Sequence, residues 1–544
     1  MGHPAATSDE LTTRTLEEAL VAPRLSTIVA GTGLDKDHVV PESGTGVSVL
    51  VVPIGTSGVP GVSSGNSDER ATPQPRQGAA EAAARYDVDV AVLAEVNSVT
   101  GRAAEILAVT APRREPGLPQ RLLFLGVGDE SPASLRKAGA ALAKATFGVE
   151  TIRASVVDGL DEPEQRAFVE GFLLGGYRPP RAGTSPVPKP MARTLELTGA
   201  SGTALAAAVA MSKAVWLARN LANMPSNVKN PAWMAGQSER LAAESGLEVR
   251  IWNDAELAAG GFGGLLAVGR GSEHESRLVQ LSYTPADAAP DAQHIVLVGK
   301  GITFDTGGVS LKPREAMVPM KTDMAGAGVV LAVLNAAAEL GVPHRVTGLL
   351  ALAENSIGAA SYRPGDVVRT YDGTTVEIGN TDAEGRMVLA DALAFARDEL
   401  APDVLIDIAT LTGAASLGLG RRHAALYGTR QDLVSGFERA AELSGSRSGI
   451  CPSRRQRRNT GPRWIPRWRI CPIFRHRSPR YRPARSLRRC SFGSLSDRHR
   501  GCIWTSPVRP GPPPMKQRSP RALPATAHAC SCHSWPATGA SLSV

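Results

Sequence analysis

The sequence predicts an α/β protein of two domains, one over residues 1–185 and a second from about 190, followed by a C-terminal segment of different character. Three observations predict this. Short apolar runs alternate with helix-periodic segments through the first 446 residues, the pattern of strands joined by helices. A Pro/Gly-rich stretch, YRPPRAGTSPVPKP (Tyr177–Pro190), splits that pattern in two and reads as an interdomain linker. Composition then changes abruptly near Ser446. At 544 residues the chain is long enough for two domains with sizeable cores.

In the first domain, Val47–Val52, Val88–Leu93 and Leu122–Gly126 are short apolar runs of strand length, and SPASLRKAGAALAKA after the last is helix-like. Residues 60–83, rich in Gly, Ser and Pro, read as a surface loop. The second domain opens with an Ala-rich amphipathic helix around Ser201–Ala222. Strands follow at His294–Val298, Val346–Ala353 and Val404–Ile408, with helices at about Ala325–Leu340 and from Arg386 toward Leu400. Two of these strands run into polar and charged clusters, which is where open α/β sheets place their sites.

Charge separates the chain into two parts. Residues 447–544 hold 21 of the 60 Lys and Arg, one acid (Asp497) and all six cysteines. The remaining 446 residues therefore carry 39 bases against 51 acids. The net charge of +8 describes neither part, and an acidic body argues against nucleic acid as the main partner. No run reaches the roughly 18 consecutive apolar residues of a membrane span, and the N-terminus lacks a basic start followed by an apolar stretch. The expectation is a cytoplasmic protein with no membrane partner.

Three segments carry the chemistry. VGKGITFDTGGVSLKP (Val298–Pro313) is a strand running into a Gly-rich loop with Lys300, Asp305 and Lys312. MKTDMAGA (Met320–Ala327) puts Asp323 at a helix start, and NTDAEGRMVLADAL (Asn380–Leu393) spaces Asp382, Glu384 and Arg386 by two. Taken singly, these are a helix cap, a charged turn and exposed lysines. Gathered together, four carboxylates repel one another and raise each other's pKa, a conflict that divalent cations resolve. Oxygen donors suit Mg, Mn or Zn, and two ions close together can activate one water and polarise a carbonyl. A phosphatase-like two-metal hydrolase usually relies on several histidines, and His294, His344 and His423 lie outside these blocks.

The three blocks, in this order and spacing, resemble the leucyl (cytosol) aminopeptidases: NTDAEGR is that family's signature, and KGITFDTGG and MKTDMAGA are its companions. ARNLANMPSN (Ala218–Asn227) is similar to its entry into the catalytic domain, and the likeness runs from roughly Val88 to Ser446. The resemblance implies a catalytic α/β domain over 190–446 with a central mixed sheet covered by helices. Lys300, Asp305, Asp323, Asp382 and Glu384 would be ligands of two divalent ions (Mn or Zn), with Lys300 as a neutral amine. Lys312 would stabilise the oxyanion, and Arg386 would hold a bicarbonate acting as general base. The reaction implied is removal of the N-terminal residue, preferably Leu-like, from peptides by a homohexamer. Some relatives also bind DNA.

The segment 447–544 departs from that pattern. It has 14 prolines and no apolar period, and reads as a disordered or aberrant basic tail. Cys530, Cys532 and His533 lack the spaced second pair of a zinc knuckle. The genetic code offers another reading, in which each codon takes the third base of one residue and the first two of the next. Trp504–Thr505 then forces Asp, and Arg500–Val508 permits W-L-H-L-D-I-A-G. Arg485–Ser494 permits I-T-A-A-L-F-L-R-E and Ser448–Ser453 permits W-H-L-P-L, all family-like and in family order. A frameshift close to Ser446 is therefore expected. It leaves all seven candidate residues in frame but removes the end of the catalytic domain, so the chain as written would be unstable, metal-poor or inactive, retaining at most a binding or assembly role.

Overall fold

The structure, a computed structural model, describes residues 25–31, 47–56, 73–110, 118–119, 121–179, 189–288, 290–450 and 501–502. The first domain is a seven-stranded sheet flanked by helices. Its strands are β1 (Thr27–Gly31), β2 (Ser48–Thr56), β3 (Pro73–Pro75), β4 (Ile106–Thr110), β5 (Arg121–Gly128), β6 (Thr151–Ala154) and β7 (Thr194–Thr198). They lie in the order β1-β7-β6-β2-β5-β4, parallel except at β4, with β3 antiparallel to β2. Helices α1 (Pro132–Ala145) and α2 (Glu162–Gly175) pack on one face. A capping box between Asp161 and Glu164 starts α2. β7 lies beyond the expected boundary at 185, so the first sheet reaches Thr198.

Two expectations in this domain are corrected. Val88–Leu93 is not a strand: Val90–Val96 is a helix, with Asp89 accepting from the Val92 N–H as N-cap. Val90 and Ala94, four residues apart, are buried, while Val92 and Val96 face out. A capped i, i+4 stripe outweighs β-branched content in a run this short. Within the expected loop 60–83, Pro73–Pro75 pairs with β2 and a helix begins at Ala79. The rest of that loop lies outside the described residues, as does the middle of the expected linker.

The second domain opens with α3 (Gly202–Asn223) and α4 (Pro231–Ser245). Its sheet contains β8 (Glu248–Trp252), β9 (Arg277–Tyr283), β10 (His294–Asp305), β11 (Arg345–Asn355) and β14 (Val404–Ile408). Small ladders pair β12 (Val367–Arg369) with β13 (Thr375–Glu377), and β15 (Ala424–Leu426) with β16 (Ser448–Ile450). The main order is β17-β14-β10-β11-β9-β8, where β17 is Gly501–Cys502. From β11 through β17 the pairings are parallel, and those of β9 are antiparallel, which makes the sheet mixed. β10 and β11 are apolar almost throughout because helices cover both faces.

On one face lies α5 (Ala325–Leu340), and on the other α6 (Glu384–Phe395), extended by a π-helical turn to Leu400. The helical run 314–340 is long and apolar enough to cross a membrane by length and composition, yet 72% of its most apolar window is buried inside the protein. α5 approaches β10 closely. A Cβ on Gly326 would stand 2.1 Å from the Ile408 carbonyl oxygen and 3.0 Å from the Lys300 backbone nitrogen. The last helix among the described residues, α7 (Gln431–Ser444), touches the first domain, where Arg136 donates to the Leu443 carbonyl (2.9 Å) and to Glu170 (3.1 Å). The expected disordered or aberrant tail falls mostly outside the described residues; of its described part, β16 and β17 are short strands.

Candidate active site

Six of the seven candidate residues converge at the carboxyl ends of β10 and β14, where α5 and α6 both begin. Lys300 projects from the interior of β10 and is 1% exposed. Its Nζ lies 2.9 Å from Asp323 Oδ2 and donates to Glu384 Oε1 (2.8 Å) and the Thr410 carbonyl (3.0 Å). Lys312 Nζ, on the loop after β10, pairs with Asp305 Oδ2 (2.8 Å) and with Asp382. Ligand atoms of Asp305, Asp382 and Glu384 lie within 4.8 Å of one another. Arg386, the seventh, sits half-exposed on the first turn of α6 and makes no ion pair with a described residue.

Burial and mutual repulsion set the electrostatics. Burial alone would lower the Lys300 pKa, but Asp323 and Glu384 more than reverse this and raise it above the ordinary lysine range. Burial pushes the Asp323 carboxyl up, relieved in part by Lys300 and reinforced by Glu384 and Asp305. For Glu384, Lys300 outweighs burial and holds the carboxyl below the usual range. Asp382 is raised by burial against the pull of Lys312. Two lysines thus face four carboxylates, leaving surplus negative charge. Glu384 Oε2 is buried without a hydrogen-bond partner among the described residues. An orphaned carboxylate oxygen in an oxygen-rich cluster is a donor set that suits hard divalent cations.

Residues that the sequence reading passed over hold this arrangement. Asn355, the last residue of β11 and fully buried, donates from Nδ2 to Asp305 Oδ1 (2.8 Å) and the Thr381 carbonyl (3.1 Å). Thr381 Oγ1 donates to the Gly307 carbonyl (2.7 Å) and accepts from the Ser310 N–H (2.9 Å), tying the NTDAEG turn to the GGVS loop. The Tyr362 hydroxyl donates to the same Thr381 carbonyl (2.7 Å), and Thr410 Oγ1 donates to Asp323 Oδ1 (2.8 Å). The one sequence signal for these is the placement of Asn355 and Thr410 at or just past strand ends.

Gly385 is required by close approach. A Cβ there would stand 2.7 Å from Lys300 Cε and 2.8 Å from its Nζ. Three polar contacts hold Lys300, so it cannot yield. Gly385→Ala is therefore expected to destabilise the fold by about 1–3 kcal/mol, as overpacking does. Urea unfolding checks this, and an unchanged midpoint would refute it.

A two-domain α/β fold with carboxylates and lysines gathered at the strand ends of a mixed sheet is an arrangement suited to a metal-dependent enzyme. The chain matches the model of the cytosol aminopeptidase family catalytic domain over residues 216–459 and that of its N-terminal domain over 67–184. It is 42% identical over 349 residues to the probable cytosol aminopeptidase of Micrococcus luteus, covering 60% of this chain and 67% of that protein. With the probable cytosol aminopeptidase of Leifsonia xyli subsp. xyli it shares 41% over 382 residues, covering 66% and 75%. Among solved structures it is similar to the bottromycin maturation enzyme BotP in complex with Mn (TM-score 0.62, 33% identity, 76% of this chain and 84% of that one). It is also similar to the cytosol aminopeptidase from Coxiella burnetii (TM-score 0.61, 26% identity, 80% and 84%). The chain belongs to the cytosol aminopeptidase family, and its activity class is peptidase.

Proposed function

We propose that this protein is a two-metal aminopeptidase that releases the N-terminal residue of peptides, with preference for Leu-like side chains. The observation that carries the proposal is the meeting of Lys300, Asp305, Asp323, Asp382 and Glu384 around an orphaned buried carboxylate oxygen. These five residues would hold two divalent cations, Mn or Zn. When bound, the cations supply the positive charge that activates water and polarises a carbonyl.

The chain's own residues account for the rest. Lys312 is partly exposed, with 14% of its side chain accessible, so its ammonium can face both the carboxylates and a developing oxyanion. Arg386 presents a guanidinium with no described ion-pair partner, suited to holding bicarbonate as general base. Asn355 and Thr410 fix the Asp305 and Asp323 carboxylates, so the site is preorganised rather than assembled by its ligand. The working enzyme is a cytoplasmic homohexamer in its frame-restored form, acting on peptides, with neither nucleic acid nor membrane as a partner.

The test is release of leucine from leucinamide by the frame-restored protein before and after chelation. Dialysis against a chelator is expected to abolish release, and Mn2+ or Zn2+ to restore it. Release that survives chelation and complete metal removal, confirmed by elemental analysis, would sink the proposal.

A further inference from the structure

Lys229 is a buried charge that the proposed chemistry does not use. It lies in the turn between α3 and α4 and is 0% exposed. Its Nζ donates to the Leu221 carbonyl (2.8 Å), the Ala222 carbonyl (3.1 Å) and the Lys321 carbonyl (2.6 Å). The first two belong to the last turn of α3, whose carbonyls have no partner within the helix. The third belongs to the 3-10 turn Val318–Thr322, which ends at Asp323. A second lysine crosses in the opposite sense: Lys321 Nζ donates to the Asn223 carbonyl (2.8 Å) at the same helix end. Met324, immediately after Asp323, packs in one apolar cluster with Leu221 of α3.

We propose that Lys229 is a positioning residue for Asp323, its ammonium tying the turn that delivers this carboxylate to the rigid end of α3. The inference rests on the reading of Asp323 as a metal ligand. Asp323 reaches the cluster from its own segment, held on one side by Lys300 and Thr410. On its chain-preceding side, the side-chain hydrogen bonds that link the turn to α3 among the described residues are those of Lys229 and Lys321. Burial, with Lys321 nearby, pushes the Lys229 pKa down to about 7, so the site disfavours the very charge it contains. An apolar side chain of similar length would fill the space without that cost, but would leave three carbonyls without a donor. Supporting contacts of this kind typically change metal affinity by about 10–100-fold when removed.

The experiment compares the full-length frame-restored protein with its Lys229→Met and Lys229→Gln variants, and with Ser201→Ala as control. Ser201 caps the far end of α3, away from Asp323, so its loss weakens the helix without touching the turn. Two quantities are read: amide hydrogen exchange of the peptide 318–324, and Mn2+ binding by calorimetry. The Lys229 variants are expected to speed exchange in 318–324 and to weaken one of the two Mn2+ ions at least about tenfold. The control is expected to do neither. Lys229→Gln keeps a donor on a shorter arm, so it provides a folded variant if Lys229→Met does not fold. Unchanged exchange in 318–324 would overturn the proposal, as would faster exchange with both Mn2+ affinities intact. If the unsubstituted frame-restored protein binds no Mn2+ while the variants still speed exchange, the two-metal reading fails and the role in placing a ligand fails with it, although the anchor itself is seen.

Discussion

Glu384→Gln is expected to lower kcat/KM for leucinamide by at least about 10³, roughly 4 kcal/mol of transition-state stabilisation, in the frame-restored protein. The substitution is nearly isosteric, so packing at the start of α6 should survive. It removes one of four clustered carboxylate charges, that of a group whose second oxygen is buried without a hydrogen-bond partner among the described residues. It also leaves Lys300, 1% exposed, with Asp323 as its remaining carboxylate. A buried ammonium robbed of one counter-charge is costly, so part of the loss should appear as reduced stability. Elemental analysis should find less than the two ions per chain expected of the unsubstituted form. Activity within tenfold of the unsubstituted protein would remove Glu384 from the proposed ligand set.

The second large effect concerns the segment after Ser446. Restoring the alternative frame there by a single-base change is expected to raise the stability of the second domain by at least about 3 kcal/mol. For a domain of this size that is about 6–12 °C in Tm. Peptidase activity should rise at least about 100-fold. The physical reason is burial. As written, β14 is paired on its outer side at Leu405 and Ile406 by Gly501 and Cys502, whereas the alternative frame over 500–508 permits W-L-H-L-D-I-A-G, a strand-length and mostly apolar stretch. Marginally stable folds respond strongly to completion of a sheet. Equal activity and equal Tm in the two forms would refute the expectation. Sequencing the gene across the codons for Ser444–Arg454 would then decide whether the shift belongs to the organism.

The sequence made the architecture legible where patterns were long and one-sided in meaning. The α5 run AGAGVVLAVLNAAAEL lies where its apolar character places it, and so does the strand VLIDI of β14. The short run at Val88–Leu93 failed because an aspartate cap and an i, i+4 stripe decided the matter, and even the seven residues of the helix Val90–Val96 carry too little periodicity to reveal that. The site was legible as three blocks of carboxylates and lysines, since their spacing and order are local properties. Its supports were not. Asn355 meets Asp305 across 50 residues, Thr410 meets Asp323 across 87, and Lys229 meets Lys321 across 92. Such pairings depend on how strands lie side by side. In PSNVKNP, Lys229 looks like any surface lysine.

Both α5 and α6 begin where the carboxylates gather, one from each face of the sheet. Each helix carries a macrodipole equivalent to roughly +0.5 charge at its N-terminus. The cluster therefore sits between two positive helix ends that no side-chain substitution at the site can delete. That field comes mainly from the unpaired N–H groups of the first turns, which begin at Ala325 and Glu384. A proline deep in either helix would kink or break it and shift the first turn that presents those N–H groups, while leaving every candidate ligand in the sequence untouched. Loss of metal is thus an expected phenotype of substitutions that a residue-by-residue reading of the site would pass as harmless.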